Sequence, residues 1–335
     1  MNPQLIQKLE KLRQNINCGE FILADAKDAD MAYGISSPGK DPDRNGFRSM
    51  SFLREQMLEI VRSRQIDIML TSVSQVGFFN KEKKTFDRSG VTPAVRMNDT
   101  TDVWVGRGAN YRSQPSRSFA TATIAEVKKI GASAQELKVN LGLYSITFNN
   151  NLDRDREALL DFKKFRLEAA EARFSYFLEV FAPNVECGLT PEQIPAYVND
   201  QLVRTIAGVP LTNWPEFLKI PYLGPRAMEE LVNYEPRLIV GILGGGSGTT
   251  YDAFKLLSEA QKYGARVALF GRKIKDAESP LDFVRYLRAI VSHQIKPEEA
   301  VRAYHGDLQK KKIKSFRSLR EDLKLTSTEI AYAQK

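Results

Sequence analysis

Leu238-Ile239-Val240-Gly241-Ile242-Leu243-Gly244-Gly245-Gly246-Ser247-Gly248-Thr249-Thr250 runs without a break from apolar, β-branched residues into a glycine cluster and then into threonines able to cap a helix. An apolar run that ends at turn residues reads as a buried strand, and Ala253, Leu256, Leu257 and Ala260 supply the helical stripe that follows. Strand, tight turn and helix make a βα unit. Its neighbours repeat the pattern, which is the sequence form of a parallel sheet covered by helices.

Working outward, the strands expected are Phe21-Ile22-Leu23-Ala24-Asp25, Ile66 to Thr71, Ala94 to Asn98, Leu137-Lys138-Val139-Asn140-Leu141, Tyr176 to Val180, Phe217 to Tyr222, Leu238 to Leu243, and Arg266 to Phe270. Between them Leu53, Met57 and Val61 form one helical stripe, and Ala158, Phe162, Phe165, Ala169 and Ala172 another. Thr190-Pro191-Glu192-Gln193 reads as a helix start with a reciprocal glutamine, and Gly208 stops that helix. Eight strands alternating with helices are best closed as a (βα)8 TIM barrel within residues 1–295, an open doubly wound sheet being the alternative, with 296–335 as a basic helical C-terminal extension. The polar stretches Ser36 to Asp41 and Arg107 to Tyr111 follow strands one and three and are candidate lids.

Length and composition suit one large core: 335 residues, 42% apolar and 27% charged. No apolar stretch approaches the roughly 20 residues of a bilayer span, and the amphipathic start MNPQLIQKLEKLRQ lacks a signal-peptide core, so a cytoplasmic protein is expected. Cys18 and Cys187 are far apart, which suits free thiols in a reducing compartment. With only His293 and His305, a three-histidine metal site cannot be built, and no metal site is expected. Much of the net charge of +8 lies in Lys310, Lys311, Lys312, Lys314, Arg317, Arg320 and Lys324, with only Phe316 interleaved. A solvated helix face is the expected reading there, and nucleic-acid binding the minority one.

Chemistry concentrates on the strands. Lys219 interrupts an apolar strand, and a buried amine kept neutral is a nucleophile toward carbonyls. The glycine turn after Leu243 offers uncrowded N–H groups at a helix start, and Gly271-Arg272 adds a fork of donors, so Gly244, Gly245, Gly246, Ser247, Gly271 and Arg272 form a candidate phosphate cradle. No Gly-Lys-Ser/Thr ends the turn, and a third dinucleotide-type glycine is missing at Thr249, so neither a Walker loop nor a dinucleotide fingerprint is met. Arg96, Lys138 and Glu179 also interrupt apolar strands: Lys138 to depress the Lys219 pKa, Glu179 to shuttle protons, Arg96 to hold phosphate, with Asp25 at the end of strand one polarising a hydroxyl.

Tyr176 to Val180, Phe217 to Pro221, the glycine turn and Ala268-Leu269-Phe270-Gly271-Arg272 together resemble class I aldolases of the tagatose bisphosphate kind and their deoxyribose-phosphate and archaeal-type fructose bisphosphate relatives, over residues 20–275. The resemblance implies that Lys219 forms a Schiff base with a phosphorylated ketose or deoxy sugar. It implies that Glu179, Lys138 and Asp25 assist, that Gly271 and Arg272 clamp phosphate, and that no cofactor is needed. Enzymes of this kind are often homo-oligomers. The relatives' tyrosine near strand four has no counterpart at Asn140 or Leu141, and Tyr144 is displaced, which leaves the general acid open. Two alternatives stand beside this reading: other imine chemistry, of the transaldolase or dehydratase type, and a non-catalytic barrel whose basic tail binds nucleic acid or a protein partner.

Overall fold

The computed structural model describes residues 1–41, 45–245 and 248–327. In chain order its strands are β1 (Ile22–Lys27), β2 (Ile68–Thr71), β3 (Thr92–Arg96), β4 (Asn98–Thr100), β5 (Ser118–Ala120), β6 (Leu141–Thr147), β7 (Ser175–Phe181), β8 (Leu218–Lys219), β9 (Gly241–Leu243) and β10 (Val267–Phe270). The helices are α1 (Pro3–Gln14), α2 (Asp30–Tyr33), α3 (Met50–Ser63), α4 (Val73–Phe78), α5 (Lys83–Ser89), α6 (Ile124–Ile130), α7 (Leu152–Glu171), α8 (Ile194–Ala207), α9 (Pro225–Tyr234), α10 (Thr250–Lys262), α11 (Arg272–Lys275), α12 (Pro280–Val291), α13 (Pro297–Lys310) and α14 (Leu319–Asp322).

Eight strands lie in the order β8-β7-β6-β3-β2-β1-β10-β9, all parallel. The ends of that sheet meet. Ile220 pairs with Ile242, and Leu218 N–H donates to the Ile239 carbonyl at 2.9 Å, so β8 and β9 close a (βα)8 barrel. Strand alternation then sorts the residues into two cores. Ile22, Ala24, Ile68, Leu70, Ala94, Leu141, Leu143, Phe177, Phe217, Ile239, Val267 and Leu269 fill the interior, and Leu5, Leu9 and Leu12 of α1 close its N-terminal end. The opposite strand faces pack outward against the helical layer, into which α3, α7 and α10 turn the stripes read from the sequence. α13 adds Ala300, Val301, Tyr304 and Leu308 to that same outer core.

Two elements depart from expectation. The fourth barrel strand is Leu141–Thr147, later than Leu137 to Leu141. Gly142 and Ser145 break its apolar run, and Gly142 is small because a Cβ there would lie 2.7 Å from both Met97 and Phe174. The helix expected from Thr190 begins at Ile194. The Gln193 side chain does accept from the Thr190 N–H at 2.9 Å, but in the turn preceding the helix, and Gly208 ends it as expected. β4 and β5 form a separate antiparallel ribbon after β3, where Trp104 packs edge-on against Tyr111 and Phe119.

Candidate active site

On β3, β7 and β8 the inward face is apolar at the N-terminal end and charged at the C-terminal end. On β7 and β8, Phe177 and Phe217 stack at 4.6 Å between centroids, and two residues on, in register, come Glu179 and Lys219. Their parity fixes their direction: both point into the barrel above the phenylalanine layer. Lys219 Nζ lies 2.6 Å from Glu179 Oε1, with the lysine side chain 8% and the glutamate 1% exposed.

The second carboxylate oxygen is held as firmly. Ser145 of β6, paired in register with Glu179, donates to its Oε2 at 2.6 Å and accepts from Arg96 Nη2 at 3.1 Å. Asn98 clamps the Ser145 backbone, its Oδ1 accepting the N–H at 2.7 Å and its Nδ2 donating to the carbonyl at 2.8 Å. Arg96 further donates to Asp28 Oδ2 at 3.0 Å and to the Asn98 carbonyl at 2.9 Å, and lies 3.7 Å from Glu179 Oε2. Burial opposes the Arg96 charge, but Asp28, Glu179 and Asp99 outweigh it and raise its pKa above the ordinary arginine value. Asp99 is pushed upward by burial, against the pull of Arg96 and of the Trp104 indole N–H 2.6 Å away. Beside this network Asp102 accepts from Ser116 at 2.6 Å and from Thr147, the next inward residue of β6, at 3.2 Å.

Of the residues read from the sequence, Lys219, Glu179 and Arg96 are therefore brought together. Asp25 and Lys138 are not. Asp25 aligns with Met69 and Phe270, which belong to the outer core, so it lies behind β1, where Lys27 Nζ meets its Oδ1 at 2.5 Å and Oδ2 finds no partner among the described residues. Burial raises the Asp25 pKa and lowers that of Lys27. The strand-one aspartate that faces the site is Asp28, in step with inward Ala24 and Ala26. Lys138 is exposed and precedes β6, at the barrel end opposite Lys219, so it cannot tune that amine. Arg96 keeps its inward position, but its guanidinium is committed to Asp28, Asn98 and Ser145 rather than open to phosphate. Tyr144 faces outward, stacked on Phe165 at 4.6 Å, where burial pushes its hydroxyl up to about 12.

The phosphate cradle is altered in a similar way. Gly244 is required because a Cβ would lie 2.2 Å from Phe270, and Gly248 because its φ is +88°. Gly245 also has a positive φ, of +59°, while Gly246 and Ser247 lie outside the described residues. Thr249 caps α10 as expected, in a reciprocal box with Asp252. The free N–H groups of that helix start are already taken by carboxylates: Thr249 N–H donates to Asp252 at 2.7 Å and Thr250 N–H to Asp322 at 2.8 Å. Gly271 sits tight against the Ala26 carbonyl, 2.5 Å from where its Cβ would be, and Arg272 extends outward to donate to the Tyr33 hydroxyl at 3.0 Å.

Among the described residues there is no cluster of three or more histidine, cysteine or acidic side chains able to hold a metal, and no helix long and apolar enough to cross a membrane. Ser145, Asn98 and Asp28 were not legible as site residues, since their roles depend on strand parity and on the true bounds of β6.

This architecture can be compared with solved structures. An archaeal fructose 1,6-bisphosphate aldolase superposes with a TM-score of 0.62 at 18% identity, over 85% of this chain and 99% of its own. A Schiff-base-forming fructose-1,6-bisphosphate aldolase gives 0.61 at 19% identity over the same shares. A third, an archaeal fructose-1,6-bisphosphate aldolase with its catalytic lysine bound covalently in the carbinolamine intermediate, gives 0.60 at 19% identity, again over 85% and 99%. The chain shares their fold. Neither a protein-family model nor a curated protein matches the sequence, so the likeness to the aldolase barrels rests on architecture.

Proposed function

We propose that the protein is a metal-independent class I aldolase that makes or breaks a carbon–carbon bond in a phosphorylated ketose or deoxy sugar through an imine on Lys219. The observation that carries this reading is the Lys219–Glu179 pair, 2.6 Å apart and buried at the C-terminal ends of adjacent barrel strands, where barrel enzymes place their chemistry. The pairing also revises how the amine is activated. Glu179 rather than Lys138 is the neighbour that acts on Lys219, by taking its proton as the substrate carbonyl arrives.

The freed amine then attacks the carbonyl carbon, the carbonyl oxygen takes up a proton, and loss of water leaves an iminium on Lys219. In the cleavage direction a base removes the proton of the β-hydroxyl. The carbon–carbon bond breaks, an aldehyde departs, and the bonding electrons move into the iminium to give an enamine; the iminium is the electron sink. Protonation and hydrolysis release the second product and restore Lys219. Glu179 is the proton carrier within reach, and the Ser145 hydroxyl keeps its carboxylate aligned. Gly271, Arg272 and the glycine turn beyond β9 supply the phosphate end in this reading. The same proposal takes residues 1–295 as the catalytic barrel, with 296–335 as its C-terminal extension.

The test is reductive trapping. Incubation with phosphorylated ketoses and borohydride should add the mass of the bound carbonyl compound less one oxygen atom to the peptide carrying Lys219, since imine formation expels water and reduction adds two hydrogens, and Lys219→Ala should neither trap nor turn over. If none of the carbonyl phosphates tried gives an adduct on Lys219, imine chemistry is the wrong assignment.

A further inference from the structure

The C-terminal segment returns over the rim of the barrel beside β9 and β10, and it is held there at several points. Asp322 accepts the Thr250 N–H through one oxygen and meets His305 Nε2 at 2.9 Å through the other. Asp252 accepts the N–H groups of Thr326 and Ser327 at 2.7 and 3.0 Å, and the Thr249 hydroxyl donates to the Lys324 carbonyl at 2.8 Å. Phe316 N–H donates to Glu278 at 2.8 Å. These bonds hold the segment that carries Arg317 beside Arg272 and Lys273 of α11.

Between them lies a crevice of about 320 Å³, and Arg272, Lys273 and Arg317 all line it. Its two acids are already engaged. Asp276 is paired with Lys275 at 2.9 Å, and Glu278 accepts from Phe316 N–H and, at 3.1 Å, from the Tyr304 hydroxyl. Among the described residues none of the three cations forms a direct ion pair, although Asp252, Asp322 and Glu278 act on Lys273 through space. Lys273 Nζ donates to two backbone carbonyls, of Gly248 at 2.5 Å and Thr249 at 3.1 Å, which occupy two of its three N–H donors without cancelling its charge. Arg317 makes no hydrogen bond or ion pair among the described residues. Burial lowers the Lys273 pKa and the facing Arg317 lowers it further, against the opposing pull of Asp252, Asp322 and Glu278.

We propose that this crevice is an oxyanion subsite, bordered by the C-terminal segment, that takes a phosphate monoester dianion between Arg317, Arg272 and Lys273. A guanidinium binds phosphate oxygens in a bidentate fork, and a partly buried ammonium adds a point charge beneath it. Because Asp322 fills the α10 terminus, the subsite uses side-chain cations where a barrel phosphate site would use that helix start. Whether the phosphate is one end of the substrate depends on the aldolase reading. The subsite itself does not.

Titration of the full-length protein with inorganic phosphate, followed by calorimetry and by the rise in Tm, tests this. The wild type should bind saturably, Arg317→Ala about tenfold or more weakly, and Arg317→Lys in between, while Lys314→Ala, a control away from the crevice, should bind as the wild type does. Equal affinity in wild type and Arg317→Ala, or no saturable binding by the wild type, would overturn the proposal. The KM for borohydride trapping of a ketose phosphate separates the sources: a rise in Arg317→Ala, with phosphate competing, identifies the substrate's own phosphate, and no rise identifies a free phosphate ester. If Arg317→Ala loses phosphate binding but no carbonyl compound is ever trapped on Lys219, the aldolase reading fails and the subsite stands.

Discussion

At the scale of single residues, the site is a lysine and a glutamate whose separate oxygens have separate tasks. Oε1 faces the Lys219 amine and Oε2 is tied to Ser145, so Glu179 can exchange a proton without swinging away. Glu179→Gln keeps the shape but removes the proton acceptor, and it should lower kcat by about 10² to 10⁴ while still binding substrate. Ser145→Ala should lower kcat more than it raises KM, because it frees Oε2 without touching the substrate; steady-state kinetics on both variants checks this split. The Asp25–Lys27 pair behind β1 makes the opposite case, a buried ion pair with no view of the site. Removing one partner, as in Lys27→Met, should cost about 3–5 kcal/mol in urea unfolding, while the double change Asp25→Leu, Lys27→Met should recover most of it. From sequence, Lys219 and Glu179 stood out because each is a charge inside an apolar strand. Asp25 was read from its place at the end of strand one, and a charge at a strand end does not say which face it occupies. Only the register with Met69 and Phe270 does.

At the scale of elements, the βα units were legible wherever a strand kept an unbroken apolar run, as Leu238 to Leu243 does. β6 was misplaced because tight packing at Gly142 and chemistry at Ser145 both demand small residues that dilute the strand signal. That displacement alone accounts for Lys138, which reads as an inward charge only if the strand begins at Leu137. The role of α1 was equally hidden. Its charged, amphipathic sequence does not name the surface it covers, yet Leu5, Leu9 and Leu12 are 0–1% exposed and seal the interior from below. Leu9→Ala should therefore destabilise the barrel by about 2–5 kcal/mol, like other large-to-small core changes. Because the helix lies at the end remote from Lys219, KM should hold in the folded fraction. A KM that rises with the loss of stability would mean that the two ends of the barrel are coupled.

At the scale of the whole molecule, the two ends of the barrel use charge differently. The C-terminal end gathers its ion pairs around the Lys219–Glu179 site, whereas the N-terminal end uses one to join separate layers. Asp67, just before β2, accepts from Lys8 of α1 at 2.8 Å, from Arg288 of α12 at 2.7 Å and from the Leu23 N–H of β1 at 2.8 Å, so one carboxylate joins the plug, the outer layer and the sheet. Burial alone would raise its pKa, but Arg288, Lys8 and these hydrogen bonds prevail and hold it below the ordinary carboxylate value. The direction of the pH effect follows. Between the folded pKa and the unfolded one near about 4, the unfolded chain binds more protons, so stability rises with pH through that window and the full contribution is present above it. Asp67→Asn should then cost about 1–3 kcal/mol at neutral pH, because two cations lose their partner. The gap between variant and wild type in urea unfolding should narrow as the pH falls through the folded pKa and the wild-type carboxylate takes up its proton. A gap that stays constant from neutral to strongly acid conditions would show that Asp67 acts through shape and hydrogen bonding alone, and that its charge does not tie the barrel's lower end together.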